Sequence, residues 1–305
     1  MMAWDLRRLR LLVELAERGT LSAVASALDY SPSAVSQQLS ALEKVSGMPL
    51  LEKAGRGVRL TDAGTLLAAH GRVLLAAAER ATTDLAALST DIRGTVRAGG
   101  LQSAARRLLI PAMARSMRSH PHLRVEIREL ELEQALPELR LGTVDLIISD
   151  EYAGHPRPRP NGLRFSLLYE EPLRLVLAVG HPAARPGGQV RIEALRDDVW
   201  VASQEGTGHH AMIIGTCRSF GGFEPDLRHR SNDADVQLEL VRATGAVGLL
   251  PQLALPLRDP SIMIGDLVGC PVRRELLIVT RDGPSTPALT AYAAALAEQA
   301  DALHR

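Results

Sequence analysis

Apolar residues recur at helical spacing through the first sixty positions. Leu6, Leu9, Leu12, Val13 and Ala16 form one stripe, which Gly19 stops. Thr20 or Ser22 caps a second helix carrying Ala23, Val24, Ala27 and Leu28. Asp29 and Tyr30 form a turn. Ser31 is a good N-cap, and Pro32 suits the first helical position, where its missing N–H costs nothing. The spacing predicts a third helix from about Ser33 to Val45, ending near Gly47. In "LLEKAGRGVRLT", Gly55 and Gly57 flank Arg56 between two apolar stretches, the pattern of a small two-stranded wing. Thr61 caps a long helix. Leu67, Leu74, Ala81 and Leu88 recur there every seven residues, with Gly71, Ala78 and Leu85 as a second row. Such a double row is what a paired helix needs. The alternative is that it packs on its own domain.

From Gly94 the pattern changes. "TVRAGG", a helix from Ser103 to about Ser119, "LRVEIREL", a helix over Leu132 to Leu141 and "VDLIISD" alternate as in an α/β fold with a largely parallel sheet. "HPRPRPNG" is a proline-rich break. "PLRLVLAV" begins a new strand set, continued by "DVWVAS", "AVGLLP" and "IMIGDL". "ELLIVT" and a helix over Ala288 to Leu303 end the chain.

On a wheel of 100° per residue, Val35, Leu39 and Leu42 face inward. Ser33, Gln37, Ser40 and Lys44 face the other way, with Ser36 at the flank. A helix surface built for solubility would carry Glu, Lys and Arg. Gln bonds adenine bidentately and Ser reaches either kind of base edge. Ser31, Pro32, Ser33, Ser36, Gln37 and Ser40 are therefore the candidate DNA-contacting residues. Arg56 at the wing tip is the candidate for a phosphate or the minor groove.

The stretches "LVELAERGTLSAVASALDYSPSAVSQQLSALEKVSGMPLLEK" and "GVRLTDAG" resemble the N-terminal domain of the LysR-type transcriptional regulators over residues 6 to 64. "LIPAM", "HPHLRVEIREL", "LRLGTVDLIIS", "LRLVLAVGHP" and "ATGAVGLLP" extend the likeness along the chain. The chain departs from the family at Leu21, Leu51 and Lys53, where Phe, Phe and Arg are common. The resemblance implies an α/β protein overall: an all-α winged helix–turn–helix, a long linker helix and two α/β subdomains of periplasmic-binding-protein type. The expected domains are 1–64 for DNA binding, 65–92 for the dimerising linker and 93–305 for the effector. The last divides into one subdomain of 93–162 with 267–305 and another of 163–266. The implied partners are double-stranded DNA, a small-molecule effector and further copies of the chain as a dimer and tetramer, with RNA polymerase as a further candidate.

In α/β sheets, ligands bind beyond the carboxyl ends of strands, where helix N-termini offer N–H groups. Gln102 and Ser103 follow the first strand; Ser149 and Asp150 end another; Ser203, Gln204 and Thr207 follow a third; Ser231 lies in "HRSNDADVQ". These are the effector candidates. Ser103 leads them because it matches the family's frequent Ser or Thr. For each, a plain helix cap is the alternative.

Composition narrows the classes. The formal charge is zero over 305 residues, with 46% apolar residues, so binding to a polyanion needs a local patch. Arginine dominates, since Lys44 and Lys53 are the only lysines. No apolar run reaches the roughly 20 residues of a membrane span, and no signal peptide is read, so a cytoplasmic protein is expected. Cys217 and Cys270 lie far apart and read as reduced thiols rather than a disulfide switch. His209 and His210 are neighbours, so one helix cannot turn both to one metal; they read as a surface pair. No metal, cofactor or enzyme motif is apparent. The rival readings are a small-molecule binding protein without gene control and an enzyme with a fused DNA-binding head.

Overall fold

The computed structural model describes residues 4–28, 30–55, 57–87, 92–185 and 187–304. They form two compact units that divide near residue 90.

The first unit contains α1 (Leu6–Arg18), α2 (Leu21–Leu28), α3 (Pro32–Ser46), the wing strands β1 (Leu51–Ala54) and β2 (Gly57–Leu60), and α4 (Asp62–Ala87). The caps are those the sequence called for. Ser31 Oγ accepts the Ala34 N–H, and Gly47 closes α3 with a φ of 69°. A left-handed residue there satisfies an orphan carbonyl at no Cβ penalty. Val35, Leu39 and Leu42 are buried with Leu9, Leu12, Val24 and Leu50 in one core. Each such burial contributes roughly 1.5–3 kcal/mol. Glu43 Oε1 accepts the N–H groups of Leu50 and Leu51 at 2.8 and 3.0 Å, fastening α3 to the wing. Thr61 accepts the Gly64 N–H at 3.0 Å and donates to the Pro49 carbonyl at 2.8 Å, which sets the start of α4.

α4 presents two faces. Gly64, Ala68 and Gly71 are buried, and a Cβ on Gly71 would lie 3.1 Å from Val13 Cγ2 of α1. The expected pairing seam is thus corrected at Gly71, which packs inside its own unit. Leu66, Val73, Leu74 and Leu85 are exposed. They lie within about 120° of one another on the helix. Leu88 lies outside the described residues.

In the second unit, β3 (Gly94–Gly100) leads through α5 (Gln102–Ala104) and α6 (Ile110–Ser119) to β4 (Leu123–Glu129), α7 (Leu132–Leu141) and β5 (Leu146–Tyr152). Next come β6 (Leu163–Ala178), β7 (Gln189–Val190), β8 (Val199–Ala202), α8 (Gly208–Thr216), β9 (Asp226–Arg230), α9 (Ala234–Thr244), β10 (Gly248–Pro251) and β11 (Ile262–Leu267). β12 (Arg273–Arg281) and α10 (Pro287–Leu303) close the chain. The main sheet runs β4-β3-β5-β12-β6-β11-β7, with β10 also on β6, and β8 pairs with β9.

One strand joins two lobes. The first part of β6, Leu163 to Pro172, pairs with β12, whereas Leu173 to Ala178 pair with β10 and β11. This moves two expectations. The strand read as starting at Pro172 starts at Leu163, and the change of lobe falls inside β6, between Pro172 and Leu173, later than the subdomain limit set at 162/163. The sheet is also mixed rather than largely parallel. β3 pairs in parallel with β4 and β5, while β12 and β6 run antiparallel to their neighbours. The chain crosses between the lobes along β6 and returns along β12, so β12 opposes the parallel core, while β6, antiparallel to β12, runs in the same sense as β5.

The helix expected from Ser103 to Ser119 contains a wide turn at Ala105–Leu109. Pro111 lacks the N–H that would bond the Arg107 carbonyl. Gln299 of α10 donates to that carbonyl at 3.1 Å, and the Tyr292 hydroxyl donates to the Leu109 carbonyl at 2.8 Å. The wide turn also carries Arg106 and Arg107, whose guanidinium groups donate to the carbonyls of Leu253, Ala254 and Leu255 in the other lobe.

Gly71→Leu is expected to reduce the unfolding free energy by about 1–3 kcal/mol through overpacking against α1. Urea denaturation at two protein concentrations checks it: a loss independent of concentration marks a contact within one chain.

Candidate functional site

Two surfaces gather the expected residues. On α3, Ser31, Pro32, Ser33, Gln37 and Ser40 are exposed and Ser36 is half-buried. Ser31 spends one lone pair on its cap and also bonds the Ser33 hydroxyl at 3.0 Å. Gln38, on the flank, is occupied by Arg8 at 3.0 Å. Lys44 is exposed at the far end of α3, and Lys53 and Arg59 are exposed on the wing. Arg56 lies outside the described residues.

The second surface is a cleft between the lobes of the second unit, with a cavity volume of about 60 Å³. The first lobe lines it with Gln102, Ser103, Glu131, Asp150, Arg157 and Arg274. The second contributes Ser203, Thr207, His209, Asn232 and Gln237. Of the eight residues expected from sequence, Gln102, Ser103, Asp150, Ser203 and Thr207 are brought together. Ser149 is not: β5 is buried on both faces, and Ser149 points away from the side that Asp150 takes. Gln204 is absent from the lining; its N–H donates to Asn232 Oδ1 at 2.9 Å and its amide nitrogen reaches the Arg230 carbonyl at 3.4 Å. Ser231 accepts the Asp233 N–H at 3.1 Å, a local turn away from the lining.

A buried ion pair forms the cleft floor. Arg274 on β12 stands in register with Tyr152 on β5 and Glu171 on β6. Its Nε donates to Glu171 Oε1 at 2.9 Å, its Nη2 to the same oxygen, and Nη2 also to Ser103 Oγ at 2.9 Å. Side-chain exposures of 3% and 0% leave neither partner to water. Burial alone would pull the Arg274 pKa down; the Glu171 carboxylate, then Tyr152 and Asp150, hold it above the ordinary arginine value. Glu171 Oε2 accepts the Leu253 N–H at 2.6 Å, which ties the floor to the segment that Arg106 and Arg107 grip. Burial and then the Asp150 charge raise the Tyr152 pKa, so its phenol stays protonated. Arg157 bridges Asp150 at 3.1 Å and Glu133 at 2.8 Å.

His209 corrects the expectation of a surface pair, since it is buried. Its Nδ1 accepts the Ser203 N–H at 3.1 Å, so the ring proton sits on Nε2, which donates to the Leu249 carbonyl at 2.8 Å. Burial lowers its pKa to about 4, against the pull of that carbonyl. With both ring nitrogens committed, this imidazole has no lone pair for a metal. Cys217 is a free thiol whose pKa burial pushes up to about 12.

Two family models match this chain: the LysR substrate binding domain over residues 89–301, and the bacterial regulatory helix-turn-helix protein, lysR family, over residues 6–65. The chain belongs to the LysR family of transcriptional regulators. It is 29% identical over 276 residues to the transcriptional dual regulator GltC of Bacillus subtilis, covering 90% of each chain. It is 26% identical to the regulator CbbR of Rhodospirillum rubrum over 96% of each chain. Among solved structures it resembles a cysteine-to-serine mutant of Corynebacterium glutamicum OxyR with hydrogen peroxide bound, at 26% identity and a TM-score of 0.60, covering 98% of this chain and 96% of that one. A full-length CbnR solved with its target DNA shares the fold at a TM-score of 0.58 and 23% identity, covering 97% of this chain and 100% of that one. This LysR regulator is thus a DNA-binding transcriptional regulator with an effector-binding domain, and not an enzyme. Among the described residues, no helix is long and apolar enough to cross a membrane.

Sequence reasoning missed Glu131, Tyr152, Arg157, Arg274, His209 and Gln237 as cleft residues of this regulator. One signal was present: Arg274 interrupts the apolar strand that ends in "LLIVT", and a charge inside a covered sheet needs a partner. Arg157 was masked by the proline-rich break, and nothing local marks Gln237.

Arg274→Met and Glu171→Leu are each expected to cost about 3–5 kcal/mol, because each strands a buried charge. The double variant loses less than the sum, as chemical denaturation will read. His209 gives a pH signature. The unfolded chain protonates it near 6.5 and the folded one only near 4, so the unfolded state binds more protons between these values. Stability therefore falls as pH drops through that window, by about 3 kcal/mol at most. NMR of the ring should show it neutral down to about pH 5.

Proposed function

We propose that the regulator reads its operator with the N-terminal half of α3 and senses a small molecule in the cleft. The first point is carried by Gln37, exposed on α3 while Val35 and Leu39 beside it are buried. A recognition helix enters the major groove by its first residues. Ser31, Pro32, Ser33, Ser36 and Ser40 are short enough to let the backbone approach, and Gln37 can reach an adenine. Lys53 and Arg59, with Arg56 between the two wing glycines of the sequence, supply phosphate contacts. The domain limits remain 1–64, 65–92 and 93–305.

Two copies pair through the exposed apolar face of α4, Leu66, Val73, Leu74 and Leu85. Such a pair addresses successive major grooves of a pseudo-palindromic site. Two pairs form the tetramer, and RNA polymerase is the downstream partner. A DNA partner and two free thiols fit the cytoplasm. The effector contacts are Gln102, Ser103, Asp150, Ser203 and Thr207. A ligand that favours one arrangement of the two lobes shifts that equilibrium by its differential affinity, and so shifts DNA binding.

Gln37→Ala is expected to weaken operator binding by about 1–3 kcal/mol in fluorescence anisotropy at matched salt. Equal affinities of variant and wild type would refute the reading. Ser103→Val should blunt the effector response and leave DNA affinity unchanged; an unaltered dose–response curve removes Ser103 from the site.

A further inference from the structure

We infer that the effector is a small molecule bearing a protonated amine, which enters the cleft against Glu131, Asp150 and the side-chain oxygen of Gln237. This rests on the reading of the cleft as the effector site.

Gln237 is the first observation. It lines the cleft and is 2% exposed. Its amide nitrogen donates to the Ser231 carbonyl at 2.5 Å and to Ser203 Oγ at 3.3 Å. A carbonyl only accepts, so the nitrogen must face Ser231 and the amide cannot be flipped. Oε1 is therefore the free end, and it is buried without a hydrogen bond among the described residues. A buried acceptor with no donor is destabilising unless something fills it. A ligand N–H would.

Charge is the second observation. Glu131 lines the same cleft, half-buried, and its carboxylate makes no hydrogen bond or ion pair with a described residue. Burial, then Asp150 and Glu133, raise its pKa, with Arg157 opposing. The cationic groups nearby are already committed: Arg274 to Glu171, and Arg157 to both Asp150 and Glu133. The lining itself holds Glu131 and Asp150 against Arg157 and Arg274, but Glu171 and Glu133, just outside it, also draw on those two guanidinium groups, which leaves Glu131 without a cation of its own. The second lobe brings no cation to the lining, since its residues there are polar or apolar and His209 is neutral. The missing positive charge fits a ligand ammonium, a donor that matches both Gln237 and the carboxylates.

Size narrows the class. About 60 Å³ holds roughly four to six water-sized groups. Ser103 Oγ accepts from Arg274, which leaves its own proton free, and Arg157 Nε is buried without a partner. These two donors suit a second, hydrogen-bond-accepting group on the ligand. Small amino acids and amino alcohols satisfy the whole set.

The test uses full-length protein, with thermal shift and calorimetry at pH 7. Glycine, L-alanine and ethanolamine are compared with the amine-free glycolate, lactate and ethylene glycol. At least one amine probe is expected to bind and its amine-free match not to. Glu131→Gln should weaken that binding roughly tenfold or more, while raising the melting temperature of the free protein by relieving like-charge crowding. A residue with a merely structural role would not move these two readouts in opposite directions. Gln237→Leu should weaken binding as well, and Glu131→Gln carries the test if that variant fails to fold. Failure of every amine probe to bind at millimolar concentration overturns the inference. Amine-free probes that bind as well, and are weakened by Ser103→Val, overturn it while the cleft remains the effector site. An amine probe whose binding ignores Glu131→Gln, Gln237→Leu and Ser103→Val overturns the cleft reading itself.

Discussion

The second unit is organised around the buried pair of Arg274 and Glu171. Two charges removed from water are stable only when each is fully bonded. Here the two charges pair with each other and find further partners: Arg274 reaches Glu171 and Ser103, and Glu171 also takes the Leu253 N–H. The pair lies one residue before Pro172, where β6 changes lobes. Its partners come from β6, β12, the start of α5 and the segment after β10. A charge pair is directional where an aliphatic contact is not, so this site holds the lobes in one alignment. The same alignment places Ser103 at the cleft, because the Arg274 guanidinium holds its hydroxyl.

A second set of bonds works on the same hinge. Arg106 and Arg107 project from the wide turn that Pro111 causes, and they take the carbonyls of Leu253 to Leu255. Leu253 is thus held at its N–H by Glu171 and at its carbonyl by Arg106 and Arg107. A ligand that pulls Gln237 toward Glu131 would act across this fixed point. In the first unit, rigidity has an apolar origin instead. Aliphatic residues under α3 leave its outer face free for hydroxyls and amides, and Glu43 sets the wing relative to the helix.

What the sequence alone determined is local or periodic. Helix caps, the 3.6-residue stripes of α1 and α3, and the wing glycines depend on a few neighbours in the chain, so they could be read directly. So could Ser103 and Thr207, since strand ends followed by capped helices recur in α/β folds. The family was legible because long motifs with fixed spacing lie in that same part. Only the tertiary structure decided the rest. β6 is one strand across two lobes because its halves find different partners, a non-local fact. Gly71 faces α1 because the neighbouring helix, not the heptad, selects which stripe is covered. Arg274, Glu131 and Gln237 lie far apart along the chain, and no local pattern announces that burial and an unmet hydrogen bond will bring them to one cleft. Charge and polarity take their meaning from what surrounds them, and those surroundings exist only once the chain has folded.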